Sequence, residues 1–195
     1  MLIEDGSGNG YSAAVTSTKR LLTASETADA SATASVAGRA IGFSTGDLTL
    51  TSASPSAVLF IQNNEIDDLI LFSVNYQVLE STGGGTNPIA ITLIRNPLTG
   101  SVVVNDIPVP ALFNLNFGST FAIDAKILVG GEGETLTGGT NTSRVIGATP
   151  LRVPFSEPGV ITIPRGATAG FLVTPPSGNT LLVVNIAITA YLNKN

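Results

Sequence analysis

A two-residue beat constrains this fold more than anything else in the chain. Near the C-terminus Leu182, Val184, Ile186, Ile188, Ala190 and Leu192 alternate with other residues, and successive side chains of an extended backbone point to opposite sides, so they share one face of a long strand. The same beat runs through Ile70, Phe72, Val74, Tyr76 and Val78, and through Ile89, Ile91 and Leu93. It recurs in Phe121, Ile123, Ala125, Ile127 and Val129, with Asp124 and Lys126 turned away. Leu48 and Leu50 alternate with threonines, and Ala57 to Gln62 is a short apolar run. Shorter strands are expected at Val102-Val103-Val104, near Val145 and Val153, at Ile161 to Ile163 and at Phe171 to Val173. Turn signals such as Asn96-Pro97-Leu98-Thr99-Gly100 separate them. Pro88, Pro150, Pro154, Pro164, Pro175 and Pro176 fall at expected strand ends or edges, where a missing N–H removes no ladder bond.

About ten strands with no helical apolar stripe predict an all-β domain, a sandwich or a barrel. No repeat period is present, so propellers and solenoids are excluded. Long strands, uneven loops and a last strand that reads as buried on both faces favour a two-sheet β-sandwich of jelly-roll type. The runner-up is an immunoglobulin-like sandwich, for which the chain is long and lacks the Trp and the Cys pair. The expected organisation is an extended N-terminal arm over 1–20, a linker or loop over 21–38, and the sandwich over 39–195. In the arm Gly6, Gly8 and Gly10 alternate with Ser7 and Asn9, too much backbone entropy to pack alone, while Tyr11, Ala13 and Val15 suit a short edge strand. Thr23 to Ser35 permits a helical turn but carries no apolar stripe and reads as a linker.

Composition narrows function. The 195 residues contain no His, Cys or Trp and only 12% are charged, so most enzyme mechanisms lack their usual parts and no enzymatic activity or cofactor is expected. Without Cys there is neither a disulfide nor a thiolate metal site. The net charge, 9 minus 14, is −5, and no run of Lys or Arg tracks a phosphate backbone, so nucleic acid is not an expected partner. Met1-Leu2-Ile3-Glu4-Asp5 has no basic region and does not read as a secretory signal. Leu181 to Leu192 is too short for a membrane helix, which predicts a soluble protein with no membrane partner. A mean hydropathy of +0.37 with so few charges predicts apolar surface covered by another chain.

Several clusters carry residues that could form sites. Gly130-Gly131-Glu132-Gly133-Glu134-Thr135-Leu136-Thr137 resembles one copy of a calcium-binding nonapeptide, but that motif needs stacked copies, so a flexible loop is expected and no metal. Glu65, Asp67 and Asp68 gather between two apolar strands and read as a solvated hairpin tip. No His serves Ser or Thr as a base, no G-x-S-x-G elbow occurs, and Lys19, Lys126 and Lys194 lie on an alternating strand or near the ends. Gly6 to Gly10 has no flanking strand and helix to cradle phosphate, and Asn141-Thr142-Ser143 fits a glycosylation triplet that matters only on a secretory route. Tyr11, Tyr76 and Tyr191 are the only tyrosines, and the latter two are expected in the core or an interface rather than on a sugar platform.

The opening Ile3-Glu4-Asp5-Gly6-Ser7-Gly8-Asn9-Gly10-Tyr11, continuing to Lys19-Arg20-Leu21, resembles the start of a group of tailed-phage virion structural proteins. Leu48 to Ser54, Ala57 to Glu65 and Ile94 to Gly100 are similar to the same group. The resemblance covers most of the chain and carries no catalytic signature. It implies a capsid decoration, or cement, protein: a β-sandwich homotrimer on the outer capsid surface of the virion that binds the assembled major capsid protein. The alternative is a tail- or fibre-associated receptor- or carbohydrate-binding module. In the decoration reading the arm lies over a neighbour and adds a strand to its sheet, with Ile3, Glu4, Asp5, Tyr11 and Val15 as its contact residues.

Overall fold

A computed structural model describes residues 2–4, 12–14, 30–83, 88–147, 152–155 and 161–193. β1 (Leu2–Glu4) and β2 (Ser12–Ala14) pair with each other in an antiparallel ribbon that belongs to neither main sheet. The short helix α1 (Ala30–Val36) is followed by β3 (Ala40–Ser44), β4 (Leu48–Leu50), β5 (Ser56–Asn63), β6 (Asp68–Thr82) and β7 (Ile89–Arg95). After a second short helix, α2 (Ser101–Asn105), come β8 (Ala111–Asn114), β9 (Ala125–Val129), β10 (Thr140–Gly147) and β11 (Arg152–Phe155). β12 (Ile161–Ile163), β13 (Thr168–Thr174) and β14 (Leu181–Asn193) complete the chain.

The strands build two antiparallel sheets, as an all-β sandwich requires. One runs β10-β7-β13-β5-β9; the other runs β11-β6-β14-β3-β8, with β12 also on β6 and β4 also on β14. The core between them takes the inward residues of both. Leu182 to Leu192 on the even positions of β14 are all buried there, as the alternation predicts. The odd positions are only half-buried, so the expectation that the last strand is covered on both faces does not hold.

Two bulges correct the reading of β6. Val184 pairs with Val78 but Val183 with Glu80, and Thr189 pairs with Ser73 but Ala190 with Leu71, so Leu79 and Phe72 are each an extra residue. An extra residue reverses which face follows, and the inward set becomes Leu69, Leu71, Val74, Tyr76 and Val78. Ile70 turns to the outer face opposite Tyr191, and Phe72 stands beside the Tyr191 ring with centroids 5.7 Å apart.

The expected strand at Val102-Val103-Val104 is instead α2. β-branched residues are stiff in helices, but Gly100 accepts the amides of Val103 and Val104, and Asp106, in the left-handed region, ends the turn. What holds it is burial: Val102 sinks among Ala57, Phe60 and Leu128 on the outer face of the five-stranded sheet. Residues 121–124 likewise do not extend β9, and Phe121 is partly exposed while Ile123 packs partly against the core. α1 falls within the span expected to be linker; Ala34 is buried and the helix packs on β3 and β14.

The carboxylates of Glu65, Asp67 and Asp68 do not tip a hairpin, because β5 and β6 lie in different sheets. The connection is a corner between the sheets, organised by the fully buried Asn63. Its side-chain amide donates to the carbonyls of Asp67 and Ile163, both at 2.9 Å, and its Oδ1 accepts the Glu65 amide. Its backbone joins Ala167 and Gly166. A buried amide with all of these bonds made ties three segments of chain together.

Candidate functional site

Of the arm residues singled out by sequence, Ile3 faces Ala13 and Glu4 faces Ser12 across the β1–β2 ribbon. The two short strands of the expected arm thus pair with each other within the chain. Asp5, Tyr11 and Val15 lie outside the described residues. Tyr76 is a core residue, 6.3 Å in ring centroids from Phe171, and Tyr191 is half-buried on the outer face of the larger sheet.

The glycine-rich segment after β9 is bonded along its length. Gly130 donates to Val58 carbonyl, Ala57 donates to Glu134 carbonyl, and Thr137 exchanges bonds with Thr99. Glu132 accepts the amides of Thr51 and Ser52 and the Thr51 hydroxyl. That hydroxyl bond foremost, followed by the two amides, holds its carboxyl below the ordinary 4.5 against the opposing pull of desolvation. Glu134 Oε1 accepts from the Asn105 side chain at 2.5 Å, and its Oε2 has no partner among the described residues. Each carboxylate is thus engaged with a different segment, and among the described residues no group of three or more His, Cys, Asp or Glu is gathered that would hold a metal. Lys126 pairs with Asp106 at 2.9 Å near the surface.

The feature that sequence reasoning missed is the free edge of β8. Among the described residues this strand pairs only with β3, and Leu115 N–H donates to Ala40 carbonyl, so antiparallel alternation turns the backbone groups of Leu112 and Asn114 away from the sheet. Edge strands are normally guarded by charge, and here none is present: no charged residue occurs between Asp106 and Asp124. Ala111, Leu112 and Phe113 are exposed on the strand, Phe117 is 91% exposed on the following turn, and the exposed Phe121 and Val36 are tied to it through their carbonyls, which accept from Asn114 and Asn116.

Local bonds hold this surface in place. Asn114 donates to Gly38 carbonyl, Asn116 donates to Val36 carbonyl, and their Oδ1 atoms accept the amides of Asn116 and Gly118 in two successive side-chain turns. Phe113 lies over Gly42, where a Cβ would strike its ring, so a glycine in β3 gives the aromatic its seat. The signal was legible: three of the eight phenylalanines at four-residue spacing in an uncharged stretch broken by Pro108 and Pro110. Its chemistry is that of polypeptide recognition, with free main-chain groups for pairing and aromatic anchors beside them.

Among the described residues no helix is long and apolar enough to cross a membrane. Comparison with known proteins finds no matching family model, no matching curated protein and no matching solved structure.

Proposed function

We propose that this protein is a structural component of a tailed-phage particle, of the capsid-decoration type, and that it grips the assembled major capsid protein on the outer surface of the head as a homotrimer. The observation that carries the reading is the β8 edge, unpaired among the described residues, with Phe113, Phe117 and Phe121 beside it. An exposed, uncharged edge is an aggregation hazard unless another polypeptide covers it. A lattice supplies many copies of such a cover, and repetition turns modest contacts into avidity.

The finer fold reading is a jelly roll. What supports it is the strand order: β3-β14-β6-β11 in one sheet and β5-β13-β7-β10 in the other interleave early and late strands as two Greek keys do, with β8 and β9 added at one edge. Binding that occurs only on the assembled lattice stabilises that lattice by mass action, the way a cement protein works.

The test is co-sedimentation with heads that lack the protein. The wild-type chain is expected to pellet with expanded heads, and a Leu112→Lys, Phe117→Ser double variant to remain in the supernatant while keeping its melting temperature. Equal pelleting of the two would remove β8 from the interface. Removal of residues 2–15 asks separately whether the ribbon contributes. Heads that bind none of the chains, together with particles that fail to adsorb to cells without the protein, would favour the receptor-binding alternative.

A further inference from the structure

The two sheets do not close on each other everywhere. At the end of β7, the turn before β13, and β12 with Pro164, a cleft of about 460 Å³ opens between them, within the size range of small-molecule sites. Its walls continue the core. Leu93, Ile163 and Ala169 belong to the buried cluster, and Ile161 packs against it. The next residue on the inward beat of Ile89, Ile91 and Leu93 is Arg95, which therefore leaves β7 on the core side and carries its guanidinium to the mouth.

Among the described residues Arg95 is the only charged residue lining the cleft, and it makes no ion pair with any of them. The hydroxyls of Thr142 and Thr168 donate to the carbonyls of Leu93 and Pro97, at 3.2 and 2.6 Å, so their hydrogens are already committed. The site thus combines an aliphatic interior with one cationic fork at its rim. The cavity has room for about fifteen waters' worth of liquid volume, which matches a chain of several carbons bearing a headgroup.

We propose that this cleft binds a small anionic amphiphile, an aliphatic carboxylate whose chain lies on Leu93, Ile161, Ile163 and Ala169 and whose head pairs with Arg95. A guanidinium holds a carboxylate through two parallel N–H bonds, and the walls exclude water from the chain. The proposal is independent of the capsid reading, because the cleft is lined by none of the residues at the β8 edge.

Octanoate, its neutral counterpart octanol and acetate are the probes, titrated into the full chain at neutral pH by calorimetry and by amide chemical shifts. Octanoate is expected to saturate at submillimolar to millimolar concentration with shifts at the lining residues, and octanol and acetate to bind at least about tenfold more weakly. Arg95→Gln should lose octanoate binding about tenfold and leave octanol unchanged, while Arg95→Lys restores part of it. The wild-type comparison stands even if a variant misfolds. Absence of saturable octanoate binding, equal affinity for octanol, or shifts confined to other regions would overturn the proposal. So would tighter binding of a short peptide ending in leucine, which would assign the cleft to a polypeptide C-terminus.

Discussion

The two sheets of this sandwich solve the same burial problem differently. The five-stranded sheet is covered on both faces: the main core lies on one side, and on the other Val102 and Val103 of α2 and Leu136 of the glycine-rich segment close over Ala57, Phe60, Leu128 and Leu172. The outer face of the seven-stranded sheet is less fully covered among the described residues: Ile70 is buried there, but the outer positions of β14 are only half-buried and Phe72 is exposed. The difference is written in the strands. β5 and β7 are buried at nearly every position, whereas β14 alternates strictly. A strand covered on both sides reads as a continuous apolar run, and one facing water reads as an alternation. The cover over the five-stranded sheet also explains the close approach of its glycines: a Cβ at Gly170 would strike Leu136, and one at Gly130 would strike the Ala57 carbonyl.

The sharpest challenge to this contrast is a pair of truncations. Phe60 is buried under the α2 cover and Phe72 lies on the open face, so Phe60→Ala should lose about 3–5 kcal/mol in urea denaturation. Phe72→Ala, 39% exposed, should lose under about 1.5 kcal/mol. Similar losses for both would mean that the outer face of the larger sheet is covered too, or that the α2 cover is not packed.

Between these values falls the corner that joins the sheets. Asn63→Ala strands the carbonyls of Asp67 and Ile163 in a buried site and is expected to lower stability by about 2–4 kcal/mol. Gly100→Ala tests the entry to the cover. Gly100 sits at φ 137, and a Cβ there would collide with the Thr135 carbonyl, so a loss of about 2 kcal/mol or more is expected, together with faster amide exchange in α2.

The smallest effect concerns the tie between the cover and the chain before β5. Glu132 has a carboxyl held below its ordinary 4.5, so the stability it adds is fully present above that value and fades as pH falls through the lower folded value. Glu132→Gln should therefore be less stable than wild type at neutral pH, with the melting curves converging in acid. A difference that persists at low pH would show that Thr51 and Ser52 are not held by the carboxylate charge.

Much of the fold was legible before any coordinates. The beat of β14, the run of β5 and the strands near Val145, Val153, Ile161 and Phe171 follow from side chains alternating across an extended chain, and Pro88, Pro164, Pro175 and Pro176 flank strands as expected, while Pro150 lies outside the described residues. The misreadings share a cause. Val102-Val103-Val104 has the composition of a strand and lies in a helix because a buried seat on Phe60 outweighs propensity. The face of β6 was misassigned at Ile70 and Phe72 because bulges arise from pairing with β14, which no single strand reveals. The acidic connection has the sequence of a hairpin tip, but local sequence does not say which sheet receives the next strand. At the β8 edge, the uncharged stretch with its three phenylalanines is visible, but its meaning depends on knowing that no strand of the described residues lies beyond it.

By itself the sequence determined that this chain would be layered β-structure built on strands of alternating or continuous apolar character, and that it carries few groups able to do acid–base or metal chemistry. Those properties are local: they depend on the two-residue geometry of extended backbone and on which side chains exist at all. The tertiary structure alone decided how fully each face is covered, where the bulges fall, which strands end up at sheet edges among the described residues, and where an arginine on the core side of a strand meets an opening between the sheets. Each of these is a relation between segments far apart in the chain, set by which apolar surfaces meet and by which backbone groups remain to be paired.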